Sequence, residues 1–407
     1  PVDILSPIYS FFRIIPRPAH ILFLYLLGAY LLLIIIKMPW PIALFGAISF
    51  GFSTYLLIIL QVGHNTKALA VSFFPFVIAG MLLLFKKRWL WGILLSCLAI
   101  GMQIRANHYQ MSYYLLMLMG VFVLIYGYHD VINKNRRSFL KSFVGLTVAG
   151  IIALGFNATP LLATAEYAQF STRGASELKL SANGSPKEQS SGLDYEYITE
   201  YSYGIFESLN LIAPRIQGGG SSEDLGSDYG IYDFLIKNGV GVDQAAQFSK
   251  NVPTYWGDQP ILEAPAYIGI TVFFFSLFGF FFTKGPLRNS LLLGTLFSLL
   301  LSWGKNMPFI TDLLIDYFPF YNKFRAVSSI QVVLEFCLPI SASIGLYNLF
   351  YKEKKFDFKR FIKIAVIPII LLVIIFLSKG MLSFSGLNDS YLRAIYGSDL
   401  FSQVTEA

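Results

Sequence analysis

Residues 68–85 read ALAVSFFPFVIAGMLLLF without a charge, residues 86–88 are KKR, and residues 89–104 read WLWGILLSCLAIGMQI. A bilayer's hydrocarbon core takes about 20 helical residues to cross. Within lipid each segment must satisfy its own backbone polar groups, which makes such runs helices rather than strands. The stretch therefore reads as two membrane helices joined by a short basic turn at Lys86, Lys87 and Arg88. Working outward, similar runs recur at 20–36, 43–60, 111–128 and 139–156, and again at 266–283, 287–303, 328–350 and 361–378, which makes ten in all. The composition agrees: 55% of the 407 residues are hydrophobic and 14% charged, against roughly a quarter charged in soluble domains. The expected fold class is an all-α polytopic membrane protein with about ten transmembrane helices.

The exception is residues 157–262, rich in Gly, Ser, Asp and Tyr, with 13 acidic and 6 basic residues in a chain whose net charge is +7. Its aromatic content is too high for a disordered linker, so it reads as one large mixed extracytoplasmic lobe. The chain then divides into an N-terminal transmembrane part (1–156, six helices behind an interfacial leader), the lobe (157–262), a C-terminal transmembrane part (263–379, four helices) and an extracytoplasmic tail (380–407). Nothing before the first run resembles a signal peptide, and the opening at Pro1 reads as a chain beginning partway into a longer protein. The basic residues concentrate in alternate connections, at Lys37, at 86–88, at 134–141, at 284–288 and at 352–363, which the positive-inside rule assigns to the cytoplasm. That bias explains the basic pI without nucleic acid. Cys97 and Cys337 both sit in apolar runs and read as packing residues, not as a disulfide or metal pair.

With that topology, four polar clusters share the outer face: residues 63–67, residues 105–110, residues 303–306 and residues 321–329. They supply the candidate substrate-binding set His64, Asn65, Lys67, Arg105, Asn107, His108, Gln110, Lys305, Lys323 and Arg325. Histidine and asparagine donate and accept hydrogen bonds, and arginine and lysine hold phosphate, so the set suits an anionic, hydroxylated ligand such as a lipid-linked phosphate. The same residues also read as ordinary polar helix ends. Lys323 and Arg325 beside Ser328 and Ser329 form the best anion candidate, because a helix N-terminus adds free N–H groups; the other reading is snorkelling. Glu335, inside the next run, is expected to face the bundle interior and pair with one of these cations.

No metal site is assigned. His64 and His108 lack a helical His pair with a supporting carboxylate. Glu223, Asp224, Asp228 and Asp233 in the lobe could take a divalent cation, but their spacing matches no known loop and equally describes a solvated acidic turn. Glu200 and Glu207 flank a Tyr-Ser-Tyr-Gly segment where a general base is conceivable. The run of glycines and serines at 218–222 reads as a flexible turn. No phosphate-binding Gly-rich loop or nucleophile elbow is present, and no catalytic residue is identified.

Several strings carry a resemblance. They are residues 50–60 with Gly63, His64, Asn65 and Lys67; Asn107, His108 and 110–114; Ser171, Thr172, Arg173 and Gly174; 255–260; 302–306; and 321–329. In this order they resemble the YfhO-like membrane proteins of Bacteroidetes-type bacteria. That family is similar to the GT-C class of multi-span glycosyltransferases. The resemblance implies a GT-C-like fold in the bacterial inner membrane, with the large loop periplasmic. It implies a polyprenyl-phosphate-linked sugar as donor, a cell-envelope acceptor, and contacts with membrane lipids and envelope proteins; no cofactor is assigned, with a divalent cation the one candidate. It also implies a catalytic acid on a first external loop, of which only Asp3 belongs to this chain. The alternative is a non-catalytic subunit or scaffold of an envelope assembly. A transporter ranks third, since its site belongs near the midplane with broken helices. From the topology, the acidic lobe is expected to be a lid or an acceptor-binding lobe whose acidic surface complements a basic floor.

Overall fold

The computed structural model describes residues 3–174, 192–227, 230–352, 357–382, 384–386 and 389–396. Among these the regular structure is helical. In chain order the first half comprises α1 (Ser6–Phe12), α2 (Ala19–Ile35), α3 (Trp40–Gly51), α4 (Thr54–Gln61), α5 (Asn65–Ser72), α6 (Phe74–Phe85), α7 (Trp89–Arg105), α8 (Tyr109–Ile132), α9 (Arg136–Phe156) and α10 (Ala158–Ala168). The second half comprises α11 (Tyr195–Thr199), α12 (Gly230–Lys237), α13 (Val242–Ser249), α14 (Ile270–Phe282), α15 (Pro286–Ser302), α16 (Pro308–Tyr317), α17 (Gln331–Tyr347), α18 (Phe358–Ser378) and α19 (Asp389–Tyr396).

Five helical stretches among the described residues are long and apolar enough to cross a membrane: Asn65–Phe85, Tyr109–Ile132, Arg136–Phe156, Val327–Tyr351 and Phe358–Ser378. The bent pair α3 and α4 would make a sixth, while α2, α7 and α14 are apolar but shorter. The reason α14 falls short is local. The run expected from residue 266 becomes helical only at Ile270, because Gly269 sits at φ 98° and residues 266–268 carry no regular structure. Their backbone is spent elsewhere: the Ile268 N–H bonds the Leu211 carbonyl, and the Tyr267 carbonyl accepts from Thr54 N–H.

The stretch 327–351 is the axis of the molecule and is almost wholly enclosed. It packs on α14, α15 and α3, whereas α18 touches chiefly α14 and leaves most of its apolar surface bare. Where α14 crosses α17 the two backbones meet. The Ser341 hydroxyl donates to the Ser276 carbonyl at 3.1 Å, and Gly279 and Gly345 leave no room for a side chain. Small residues allow such an approach where lipid offers no hydrophobic drive between helices. A second bundle is built on α6, held between α2 and α7, with α9 behind α7.

The run expected to be continuous over 43–60 is broken, with α3 and α4 meeting at 45°. At the break the Ser53 hydroxyl donates to the Glu335 carboxylate. Glu335 does face the interior, with no exposed surface, but its partner is this hydroxyl, not a cation from 323–325. The sequence separation hides the pairing, and Glu335 Oε1 has no partner. Ser53→Ala is expected to lower stability by about 1–3 kcal/mol, the cost of a buried carboxyl left unbonded, read as a reduced thermal midpoint in detergent.

The polar stretch 157–262 is helix, 3-10 turn and loop among its described residues, with one isolated bridge between Glu223 and Val252 instead of the strands a mixed lobe implies. Residues 193–211 are laced onto the helical bundle. Leu193 N–H bonds the Asn322 carbonyl, Tyr203 N–H the Ser302 carbonyl, and the Ile198 and Tyr201 carbonyls accept from Ala326 and Ser328 N–H. Leu193, Ile198 and Leu211 belong to the main core, whereas α12 and α13 enclose a small core of their own around Ile231, Leu235, Ala245 and Val252. Gly218, at φ 81°, lies so close to the Thr254 carbonyl that a Cβ would collide with it. That part of the 218–222 run is a packing contact, not a free turn. Of the tail, residues 383, 387–388 and 397–407 lie outside the described residues.

Candidate functional site

Two tight turns bring the first polar cluster together. The chain leaves α4 through Gly63 at φ 78°, and His64 precedes α5. It leaves α7 through Asn107 at φ 58°, and His108 precedes α8. Glycine and asparagine are the residues that adopt this left-handed geometry at least cost. His108 is held down to about 4, first by burial and then by the positive field of Lys67, with His64 contributing. Burial and Lys67 lower His64 in the same way. His64, Lys67 and His108 thus share one electrostatic environment. At neutral pH His108 is an uncharged imidazole whose Nδ1 is buried without a partner, an arrangement that costs about 1–3 kcal/mol while unsatisfied.

Lys67 donates to the Tyr55 hydroxyl at 2.6 Å and the Ser329 hydroxyl at 3.0 Å, and lies 5.1 Å from the centre of the Tyr55 ring. Arg325 donates to the Tyr197 hydroxyl at 2.7 Å and stacks 5.0 Å over that ring. Gln110, two residues after His108, holds the Arg325 backbone: its amide donates to the Arg325 carbonyl at 2.6 Å and the Tyr114 hydroxyl at 2.8 Å. Lys67 and Arg325 therefore have hydroxyl and aromatic partners but no carboxylate among the described residues.

Three more of the expected residues, Asn65, Arg105 and Asn107, line a separate cavity of about 210 Å³ with Tyr9, Arg17 and His20. Arg105 is ion-paired with Asp3 at 2.5 Å, and this bond holds the Asp3 carboxyl below its usual range. Arg17 and His20 escape the sequence reading because the leader looks like a membrane anchor and His20 like the first residue of an apolar run. The available signal was a histidine and an arginine where a purely apolar entry would serve.

The remaining expected residues do other work. Lys323 donates to the Arg173 carbonyl at 2.8 Å while Arg173 donates back to the Lys323 carbonyl at 3.0 Å, so the pair clasps two loops. Lys305 offers its backbone N–H to Ser202 and its side chain is exposed. The helix start at 327–330 is not an open anion site. Ser328 N–H bonds the Tyr201 carbonyl and Ser329 N–H the Ala326 carbonyl. The Ser328 hydroxyl bonds Gln259 and the Ser329 hydroxyl accepts from Lys67.

Nor is Glu207 placed as a general base. It is wholly buried, and its oxygens accept from the Tyr255 hydroxyl at 2.7 Å, the Gln259 amide at 3.0 Å and Gly204 N–H at 3.0 Å. Glu200 is exposed. In the acidic loop Glu223 is committed to Arg215 at 2.7 Å and to Thr254, and Asp228 lies outside the described residues. Among the described residues no three His, Cys, Asp or Glu side chains gather as metal ligands. No family model matches the chain, and no curated protein or solved structure does either.

Proposed function

We propose that this chain is part of a membrane-embedded glycosyltransferase that moves a sugar from a polyprenyl-phosphate-linked donor to a cell-envelope acceptor. The observation that carries the reading is that Lys67, beside the neutral His108, and Arg325, on Tyr197, are cations without a carboxylate partner among the described residues. A phosphate departing from a sugar develops negative charge, and preorganised cations stabilise that charge where it forms. In this reading the cluster end of the bundle faces outward, since basic residues crowd the opposite connections. The shorter apolar helices α2, α7 and α14, and α15 with them, then cross the inner membrane beside the longer ones, for ten spans, and the polar stretch 157–262 covers the cluster as an extracytoplasmic lobe. Asp3 is occupied by Arg105 and is not assigned as the catalytic acid.

The test is transfer from polyprenyl-phosphate sugars by the full-length protein in detergent or nanodiscs. Lys67→Met and Arg325→Gln are each expected to lower turnover by at least about tenfold, the loss of one charge-assisted contact, with folding unchanged by size-exclusion profile. Undiminished transfer in both variants sinks the proposal. The scaffold reading is favoured by a different observation, the lacing of residues 193–211 onto the bundle. It predicts that full-length protein transfers nothing and instead retains envelope proteins that are lost when that segment is altered.

A further inference from the structure

The leader folds back over the ends of α2, α5 and α7. Leu5 is buried in the main core while Phe11 and Ile14 are exposed, as for a short segment lying at a lipid interface. Beneath it lies the cavity of about 210 Å³ shared by Tyr9, Arg17, His20, Asn65, Arg105 and Asn107. Three features of this cavity converge on one ligand chemistry.

The first is charge. Arg17 donates to the Tyr9 hydroxyl at 3.3 Å, and the Arg105 and Arg13 guanidinium groups lie 4.5 Å and 5.7 Å from the centre of the same ring. Among the described residues one carboxylate, Asp3, meets these three cations, and it is taken by Arg105. The second is His20. It is 1% exposed and lines the cavity, and neither ring nitrogen makes a hydrogen bond of good geometry, with the Pro16 carbonyl close by. A neutral imidazole carries one donor and one acceptor, and with the Pro16 carbonyl as its nearby backbone acceptor the ring still has a nitrogen free for a group in the cavity. The third is the start of α5, where Asn65 and Thr66 line the same space. Helix N-termini present free N–H groups and positive potential to anions.

We propose that this cavity binds a phosphate ester or phosphate anion, seated between Arg17 and Arg105 and hydrogen-bonded to His20. This is distinct from the Lys67, His108 and Arg325 cluster and does not rest on the transferase reading. The chemistry is shared by the headgroup of an anionic phospholipid and by free phosphate, and the test separates them.

Full-length protein is reconstituted in phosphatidylcholine nanodiscs, with or without phosphatidylglycerol, and separately titrated with inorganic phosphate. Binding is read from the shift in thermal midpoint. Stabilisation by phosphatidylglycerol alone assigns a lipid headgroup, and stabilisation by inorganic phosphate assigns a free anion. Either result supports the site only if Arg17→Gln weakens the apparent affinity by about tenfold, as expected for one charge-assisted contact. Arg17 is exposed, so this variant should fold, and His20→Gln provides the buried counterpart. Equal stabilisation of Arg17→Gln and the parent protein overturns the proposal, because the basic connections at the other end of the bundle would then account for it. So does the absence of stabilisation by either probe.

Discussion

Replacing Gly345 with valine should leave the protein unable to assemble its central helix pair. A Cβ built at Gly345 falls 2.1 Å from the Phe275 carbonyl oxygen and 2.6 Å from the Gly279 nitrogen, both backbone atoms of α14. From the other side, a Cβ at Gly279 falls 2.0 Å from the Ser341 carbonyl oxygen. Neither obstacle can rotate away as a side chain would, so α14 and α17 must separate along their whole crossing. Overpacking against movable side chains already costs about 1–3 kcal/mol, and this contact should exceed it. The loss would spread, since the 327–351 stretch also seats α15 and α3. Fluorescence-detected size exclusion of Gly345→Val is expected to show aggregate in place of the monodisperse peak. Gly120→Val is the control, because a Cβ there meets nothing within 4 Å. A sharp peak and the parent's thermal midpoint for Gly345→Val would refute the backbone-on-backbone crossing.

What the sequence shows and what it hides divide along the length scale of the interactions. The runs at 111–128 and 139–156 appear as α8 and α9 extended by a few residues, since hydropathy is a local property and these helices meet few interruptions. The break at Phe52 and Ser53 is invisible locally. No proline marks it, and the groups that hold it, Glu335 on the Ser53 hydroxyl and the Tyr267 carbonyl on Thr54 N–H, lie far along the chain. The same break weakens the sequence argument against midplane polarity, for it puts a buried carboxyl beside a bent helix pair. The candidate residues follow this division. His64, Lys67, His108 and Gln110 stand out as polar groups in short connections, and the fold does gather them. Arg17 and His20 emerge only when the leader has closed over α5 and α7. Lys323 reads as an anion ligand by composition, but its loop clasps Arg173.

Glu207→Ala should detach the polar stretch from the membrane helices. The carboxylate lies where that stretch meets the start of the 327–351 helix. It receives Tyr255, Gln259 and Gly204, and Gln259 in turn accepts from Ser328. Alanine leaves three buried donors without an acceptor, which at about 1–3 kcal/mol apiece costs about 3 kcal/mol or more. The expected readout is faster amide exchange over residues 193–211, whose N–H and carbonyl groups hold this layer to 302 and 322–328. Glu207→Gln separates hydrogen bonding from charge. Burial is the largest influence on Glu207 and raises it above 4.5, outweighing the three hydrogen bonds that lower it. A raised carboxyl keeps its proton in the folded state after the unfolded chain has lost it. Its contribution is therefore complete below pH 4.5 and declines as pH rises through the folded value. The glutamine variant carries no such proton, so its stability should change less with pH above 4.5 than the parent's. If its profile parallels the parent's across that window, the raised value is wrong; if exchange over 193–211 is unchanged in the alanine variant, Glu207 does not hold the two layers together.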